Sequence, residues 1–166
     1  MNAQTFFGRL LSVDEAATWR DELRRRGRSV VFTNGCFDVL HAGHVEYLAW
    51  ARAQGDALIV GLNEDESVRR IKGESRPIVP FARRAAVLLA LRSVDAVVGF
   101  GDRTPELLID RIRPDVHVKS DQYREDELPE RTVVLQHGGR IALAPHVQGE
   151  STTDLIARIL RNYCSS

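Results

Sequence analysis

Four short apolar runs recur along the chain, each too continuous for a strand with one wet face, and the residues between them have helical period. That alternation restricts the accessible folds more than any other feature. Residues 29–33, ALIVGL at 57–62, DAVVGF at 95–100 and VHV at 116–118 fit strands buried on both faces. Residues 14–26 carry Ala16, Trp19 and Leu23 on one side and end at Gly27, suited to the position after a helix. A second helix runs from about 43 to 54 and stops at Gly55-Asp56. Pro80, read as the first helical residue, opens a third that carries Phe81, Ala85, Leu88, Leu89 and Arg92. Thr104 caps a fourth, with Pro105 in its first turn and Pro114 at its end. The last helix shows Leu155, Ile156, Ile159, Leu160 and Tyr163 on one face. VVL at 133–135 and RIAL at 140–143 are weaker strand signals. Strands alternating with helices require right-handed crossovers. The expectation is an α/β, doubly wound parallel sheet in a single domain over 1–166, with an N-terminal helix at about 14–26 and a core at about 28–160. Ligands of such sheets bind beyond the carboxyl ends of the strands, where strand order reverses.

A chain of 166 residues can bury a core without metal or disulfide support. Acidic and basic side chains balance at 23 each, so no global field draws the protein to nucleic acid or an anionic membrane. Neither is expected as a partner. The run Arg24, Arg25, Arg26 and Arg28 lies at a helix C-terminus, where cations suit the dipole. Cys36 and Cys164 lack metal-type spacing and read as free thiols of a reducing compartment, so a cytoplasmic location is expected. The N-terminus MNAQTFFGRLL has no basic leader, and no apolar run approaches the roughly 20 residues that span a bilayer.

The first strand runs straight into NGCFDVLHAGH at 34–44. Neither GxxxxGK(S/T) nor GxGxxG follows it, which disfavours a P-loop ATPase and a dinucleotide redox enzyme. His41 and His44 fall on one face of a starting helix, and Gly43 between them leaves room for a ligand. The free amides and positive dipole end of a helix favour an anion, and imidazole N–H groups add donors there. Phosphate is the natural guest. Two other readings stay open: ordinary polar residues at a helix start with Asp38 as turn former, and a zinc site on Cys36, His41 and His44, which lacks a fourth ligand.

Gly35, Phe37, Asp38, His41, Gly43 and His44 spell GxFDxxHxGH, which resembles the signature of the cytidylyltransferase-like nucleotidyltransferases. GESTTDLI, with Ser151, Thr152 and Thr153, is similar to a Ser-Thr-Thr run of that superfamily. VFTNGCFDVLHAGH, IKGESRPI, RRAAVLLAL, VDAVV and PDVHVK, in that order, most resemble bacterial heptose 1-phosphate adenylyltransferases, over about residues 28–160. The resemblance implies a Rossmann-like nucleotidyltransferase fold and an adenylyltransferase that moves AMP from ATP to a sugar 1-phosphate, giving ADP-heptose and pyrophosphate. It implies catalytic roles for His41, His44 and Lys72. Asn34, Gly35, Cys36, Phe37, Gly43, Ser151, Thr152 and Thr153 would bind nucleotide, and Asp38, Arg84, Lys119 and Tyr123 the substrates. Mg²⁺ would arrive on the nucleotide phosphates, with no metal held by the protein alone. Relatives often carry this domain fused to a sugar kinase, so a separate kinase is an expected partner, and a homodimer is possible at family level.

One segment departs from the pattern. Where heptose adenylyltransferases commonly show VKGGDY, this chain has Val118, Lys119, Ser120, Asp121, Gln122 and Tyr123. Two absent glycines bear on the acceptor, through lost space or a lost left-handed turn, more than on nucleotidyl transfer. The alternatives are a cytidylyltransferase acting on a polyol phosphate such as glycerol 3-phosphate, and a nucleotide-sensing module without turnover.

Overall fold

The computed structural model describes residues 7–146 and 151–163. Six strands form one sheet: β1 (Arg9–Leu11), β2 (Val30–Gly35), β3 (Ala57–Asn63), β4 (Ala96–Phe100), β5 (Val116–Ser120) and β6 (Arg140–Ala144). All pairs are parallel, in the order β1-β4-β3-β2-β5-β6. From β2 the chain steps outward through β3 to β4, then returns to place β5 on the other side of β2. Strand order therefore reverses between β2 and β5, and a crevice opens beyond their carboxyl ends.

Helices cover both faces. Val31, Leu58, Val60 and Leu62 point to one side and pack with Leu48 of α2 (Ala42–Arg52) and Leu88 of α4 (Phe81–Leu89). Val30, Phe32, Ile59 and Val98 point to the other, against Leu23 of α1 (Val13–Arg25), Ile109 of α5 (Glu106–Ile112) and Val134 of α6 (Arg131–Gln136). Neighbouring residues of one strand alternate between two buried layers, which is why its sequence reads as a continuous apolar run. The remaining helices, α3 (Asp65–Lys72) and α7 (Thr152–Tyr163), follow β3 and β6.

The amino ends of the inner strands share one device. Asp56, Asp95 and Asp115 each stand one residue before a strand, and each carboxylate accepts a backbone N–H from the neighbouring strand region. Asp56 takes that of Ser29, Asp95 that of Leu58 and Asp115 that of Val30, each at 2.8 Å. The aspartate N–H groups return bonds to the carbonyls of the same three residues. The ladder is thus closed at the edge where it would otherwise leave unpaired amides.

Several expectations need correction. Residues 133–135 are helical, in α6, because Val134 alone is buried while Leu135 faces solvent, and Gly138-Gly139 ends the turn before β6. Pro80 is the N-cap of α4, not its first helical residue, since its ψ of 151° is extended and its carbonyl receives Arg83 and Arg84 N–H. Thr104 gives its hydroxyl to the Glu106 carboxylate and leaves the helix amides alone. α1 begins at Val13 behind a Ser12–Glu15 capping box, and β1 and α3 had no clear sequence signal. No residue of α7 is buried, and Leu160 and Tyr163 are 54% and 81% exposed, so the apolar face of the last helix is not core.

Candidate active site

The connection from β2 to α2 is shaped by Phe37, whose φ of 43° is left-handed, a state that bulky side chains seldom adopt. Its ring lies 3.0 Å from where a Cβ on Gly35 would stand, and meets His44 edge-on at 5.3 Å between centroids. Gly35 thus keeps the space that the ring fills. His41 is the N-cap of α2, with extended backbone and no side-chain capping bond; its carbonyl accepts from His44 N and Val45 N. The rings of His41 and His44 are 3.9 Å apart and tilted by 32°. Burial, and then the neighbouring His41, push His44 down to about 4, so it is a neutral imidazole at pH 7. Its buried Nδ1 has no hydrogen-bond partner among the described residues.

These rings line a cleft of about 600 Å³ above the β2/β5 crevice. On another wall, Ser151 stands before α7, accepts from Asp154 N at 3.0 Å and donates to the Asp154 carboxylate at 2.7 Å. Thr152 Oγ1 donates to the carbonyl of Val39 at 3.3 Å and so ties the start of α7 to the loop before α2. Ser151, Thr152 and Thr153 open into the same cleft as the two histidines. Two helix starts therefore bring amide-rich, positive dipole ends to one volume.

Cations flank it. Lys72 is the last residue of α3 and lines the cleft just before Gly73, whose φ of 97° turns the chain away. Lys119 lines the β5 side, with Nζ 3.1 Å from the Glu130 carboxylate, 3.4 Å from Asn34 Oδ1 and 5.2 Å above the Tyr123 ring. Ser120 and Gln122 also face the cleft. Outside glycine only Phe37 and Arg113 have positive φ among the described residues, so residues 120–122 need no left-handed turn. Of the two positions where the family pattern has glycine, Ser120 lines the cleft and Asp121 does not.

Of the residues expected at the site, Asn34, Phe37, His41, Gly43, His44, Lys72, Lys119, Tyr123 and Ser151 to Thr153 line the cleft. Three do not. Asp38 is buried and its carboxylate accepts from Ile78 N, Val79 N and the Arg76 guanidinium, holding loop 73–80 under the site. Burial would raise its pKa, but these donors outweigh that and hold it low. Arg84 is buried too; its guanidinium is spent on the carbonyls of Val79 and Cys36 and on Asp65, so it braces the loop that carries Phe37. The Cys36 thiol is directed to Asn63 at 4.0 Å and is pushed up by burial. Cys164, Gly149 and Glu150 lie outside the described residues. Tyr47, Pro145 and His146 line the cleft without having been singled out by sequence, because nothing local marks them, whereas Asp154 is marked by the S-x-x-D form of a capping box with Ser151. Among the described residues no group of three His, Cys, Asp or Glu could hold a metal ion, and Cys36 is not assembled with the histidines into one.

The profile of the cytidylyltransferase-like family matches residues 32–158, most of the chain. The chain belongs to that family. Bifunctional protein HldE from Syntrophotalea carbinolica is 51% identical over 140 residues, 84% of this chain and 29% of that protein. HldE from Azotobacter vinelandii is 46% identical over 152 residues, 92% of this chain and 32% of that protein. This cytidylyltransferase-like chain thus spans about a third, or less, of the length of these curated relatives. In three dimensions it is similar to a lipopolysaccharide core biosynthesis protein from Thermoplasma volcanium, with a TM-score of 0.61 over 75% of this chain and 100% of that one. At 24% identity that likeness supports the α/β fold and nothing finer.

Proposed function

We propose that this chain is an adenylyltransferase that joins AMP from ATP to a sugar 1-phosphate, with heptose 1-phosphate the first choice of acceptor. One observation carries the reading: the paired imidazoles at the start of α2 and the Ser-Thr-Thr run at the start of α7 open into one cleft flanked by Lys72 and Lys119. An oxygen of the acceptor phosphate attacks the α-phosphorus of ATP, the bond to the bridging oxygen breaks and pyrophosphate leaves. The nucleophile is already an anion, so no general base is needed. The task is to bring two anions together and stabilise the charge that grows on the transferred group and the leaving oxygen.

Neutral His44 can donate through N–H without adding a titrating charge, while His41 and the α2 amides face the same phosphates. Ser151, Thr152 and Thr153 offer hydroxyls and amides to the outer phosphates, and Lys72 and Lys119 balance charge from opposite sides. Mg²⁺ bound to the triphosphate would neutralise further charge. Among the described residues Asp154 is the acid that lines this cleft, and it already accepts from Ser151, which fits an ion carried in by the nucleotide better than one held by the protein. The acceptor would come from a sugar kinase, on this polypeptide or another. Among the described residues no helix is long and apolar enough to cross a membrane.

The test is pyrophosphate release with ATP or CTP against sugar 1-phosphates and glycerol 3-phosphate. Turnover with ATP and a sugar 1-phosphate is expected. Turnover with CTP alone rejects the proposal in favour of a cytidylyltransferase, and nucleotide binding without turnover favours a sensor.

A further inference from the structure

Beneath the cleft lies a buried charged cluster that nucleotide binding does not explain. His117 and Lys119 are two apart on β5, so their side chains leave the same face of the strand. Both meet Glu130, which stands just before α6 and is 1% exposed. Its Oε1 lies 3.0 Å from His117 Nε2 and 3.1 Å from Lys119 Nζ. The His117 ring is fully buried and stacked on Phe32 at 5.6 Å. Burial would raise Glu130, but the bonds from His117 and Lys119 win and hold it at about 2, so it is a carboxylate. A carboxylate only accepts, hence Nε2 of His117 carries the proton, and burial keeps that imidazole neutral. Among the described residues the full charge that answers the carboxylate is the Lys119 ammonium, and that ammonium faces the cleft.

A buried pair of this kind costs desolvation and is weak evidence of added stability. Its geometry suits another task. Lysine is a flexible point charge with four rotatable bonds, and a cleft-edge lysine left to itself samples many positions. Here the ammonium is held between Glu130, Asn34 Oδ1 and the Tyr123 ring, and the carboxylate is in turn held by an imidazole that core packing does not let move.

We propose that Glu130, braced by His117, is a positioning residue that fixes the Lys119 ammonium at the acceptor end of the cleft, where it receives the phosphate of the acceptor. The claim rests on the adenylyltransferase reading for the identity of that phosphate, but not for the positioning itself. Bound this way, Lys119 is pre-organised for a dianion that approaches from the β5 side, while the nucleotide stays with the histidines and the start of α7.

The experiment compares wild type with E130Q, E130D, K119M and the E130Q/K119M double variant. Steady-state kinetics with ATP and the sugar 1-phosphate should show an acceptor KM raised about tenfold in E130Q, the loss typical of a hydrogen bond to a charged group. The ATP KM should stay within about twofold. K119M should raise acceptor KM by at least as much, and E130Q should add nothing in the K119M background. Equal rises in both KM values, or multiplying effects in the double variant, overturn the proposal. Should E130Q fail to fold, E130D carries the test, and a wild-type acceptor KM in E130D is the overturning result. A second readout needs no turnover: in lysine labelled with ¹⁵N, the Lys119 ammonium should give an ordered, slowly exchanging NMR signal in wild type that is lost in E130Q or E130D. Persistence of that signal rejects the positioning role even if no sugar phosphate is ever turned over. Absence of turnover with the signal behaving as expected rejects the adenylyltransferase reading alone.

Discussion

His44 concentrates the chemistry at the scale of single residues. Its midpoint of about 4 lies below the 6.5 of an exposed imidazole, so between those values the unfolded chain holds a proton that the folded chain refuses. Stability should therefore fall as pH drops from 6.5 toward 4, and His44→Gln should flatten that slope in denaturation curves taken across the range. An NMR titration should find the His44 midpoint near 4 in the free protein and higher with a polyphosphate bound, because an adjacent anion favours the imidazolium. A free-protein midpoint near 6.5 would contradict the packing described. His41→Ala or His44→Ala should slow pyrophosphate release by about 10² or more, the scale of a lost donor to developing negative charge. The histidine pair was legible because spacing and the strand-to-helix position both point to one ligand. Asp38 and Arg84 were not, since a motif marks that a residue matters without saying whether it touches ligand or holds the backbone that does.

At the level of elements, local signals succeeded where a segment satisfied its own backbone and failed where tertiary contacts decided. The buried strands announced themselves because both their faces are apolar. VVL at 133–135 did not, as three apolar residues suit a strand or a helical turn equally until Val134 finds its place beneath the sheet. The capping box of α1 predicts that Ser12→Ala lowers unfolding free energy by about 0.5–2 kcal/mol, read by urea denaturation. Asp95→Ala removes the acceptor of Leu58 N and the partner of Arg52, at 2.8 Å each, and leaves that amide unsatisfied. A loss of about 1–3 kcal/mol is expected, with faster hydrogen exchange at Leu58. An unchanged exchange rate there would mean that the carboxylate does not hold the strand. The motif GDA, VDA and PDV before β3, β4 and β5 was visible in the sequence, yet its meaning depends on which strand lies alongside, and strand order is not local information.

For the molecule as a whole, the doubly wound plan was readable from alternation, and the place of the cleft from the general rule for such sheets. What chain order could not convey is that α7, at the far end of the sequence, is joined to the loop before α2 by Thr152 and Val39. One cooperative unfolding transition is expected, and ATP with Mg²⁺ at 100 times its Kd should raise stability by about 2.7 kcal/mol, measured as a shift in urea midpoint. Two separated transitions would argue against one domain. The three aspartate clasps lie at the amino edge of the sheet, opposite the cleft. Foundation and workshop are thus physically apart in this protein. Side chains at the rim such as Ser120 and Gln122 touch none of those carboxylates, so what the cleft admits can change without loosening the base that holds the strands in register.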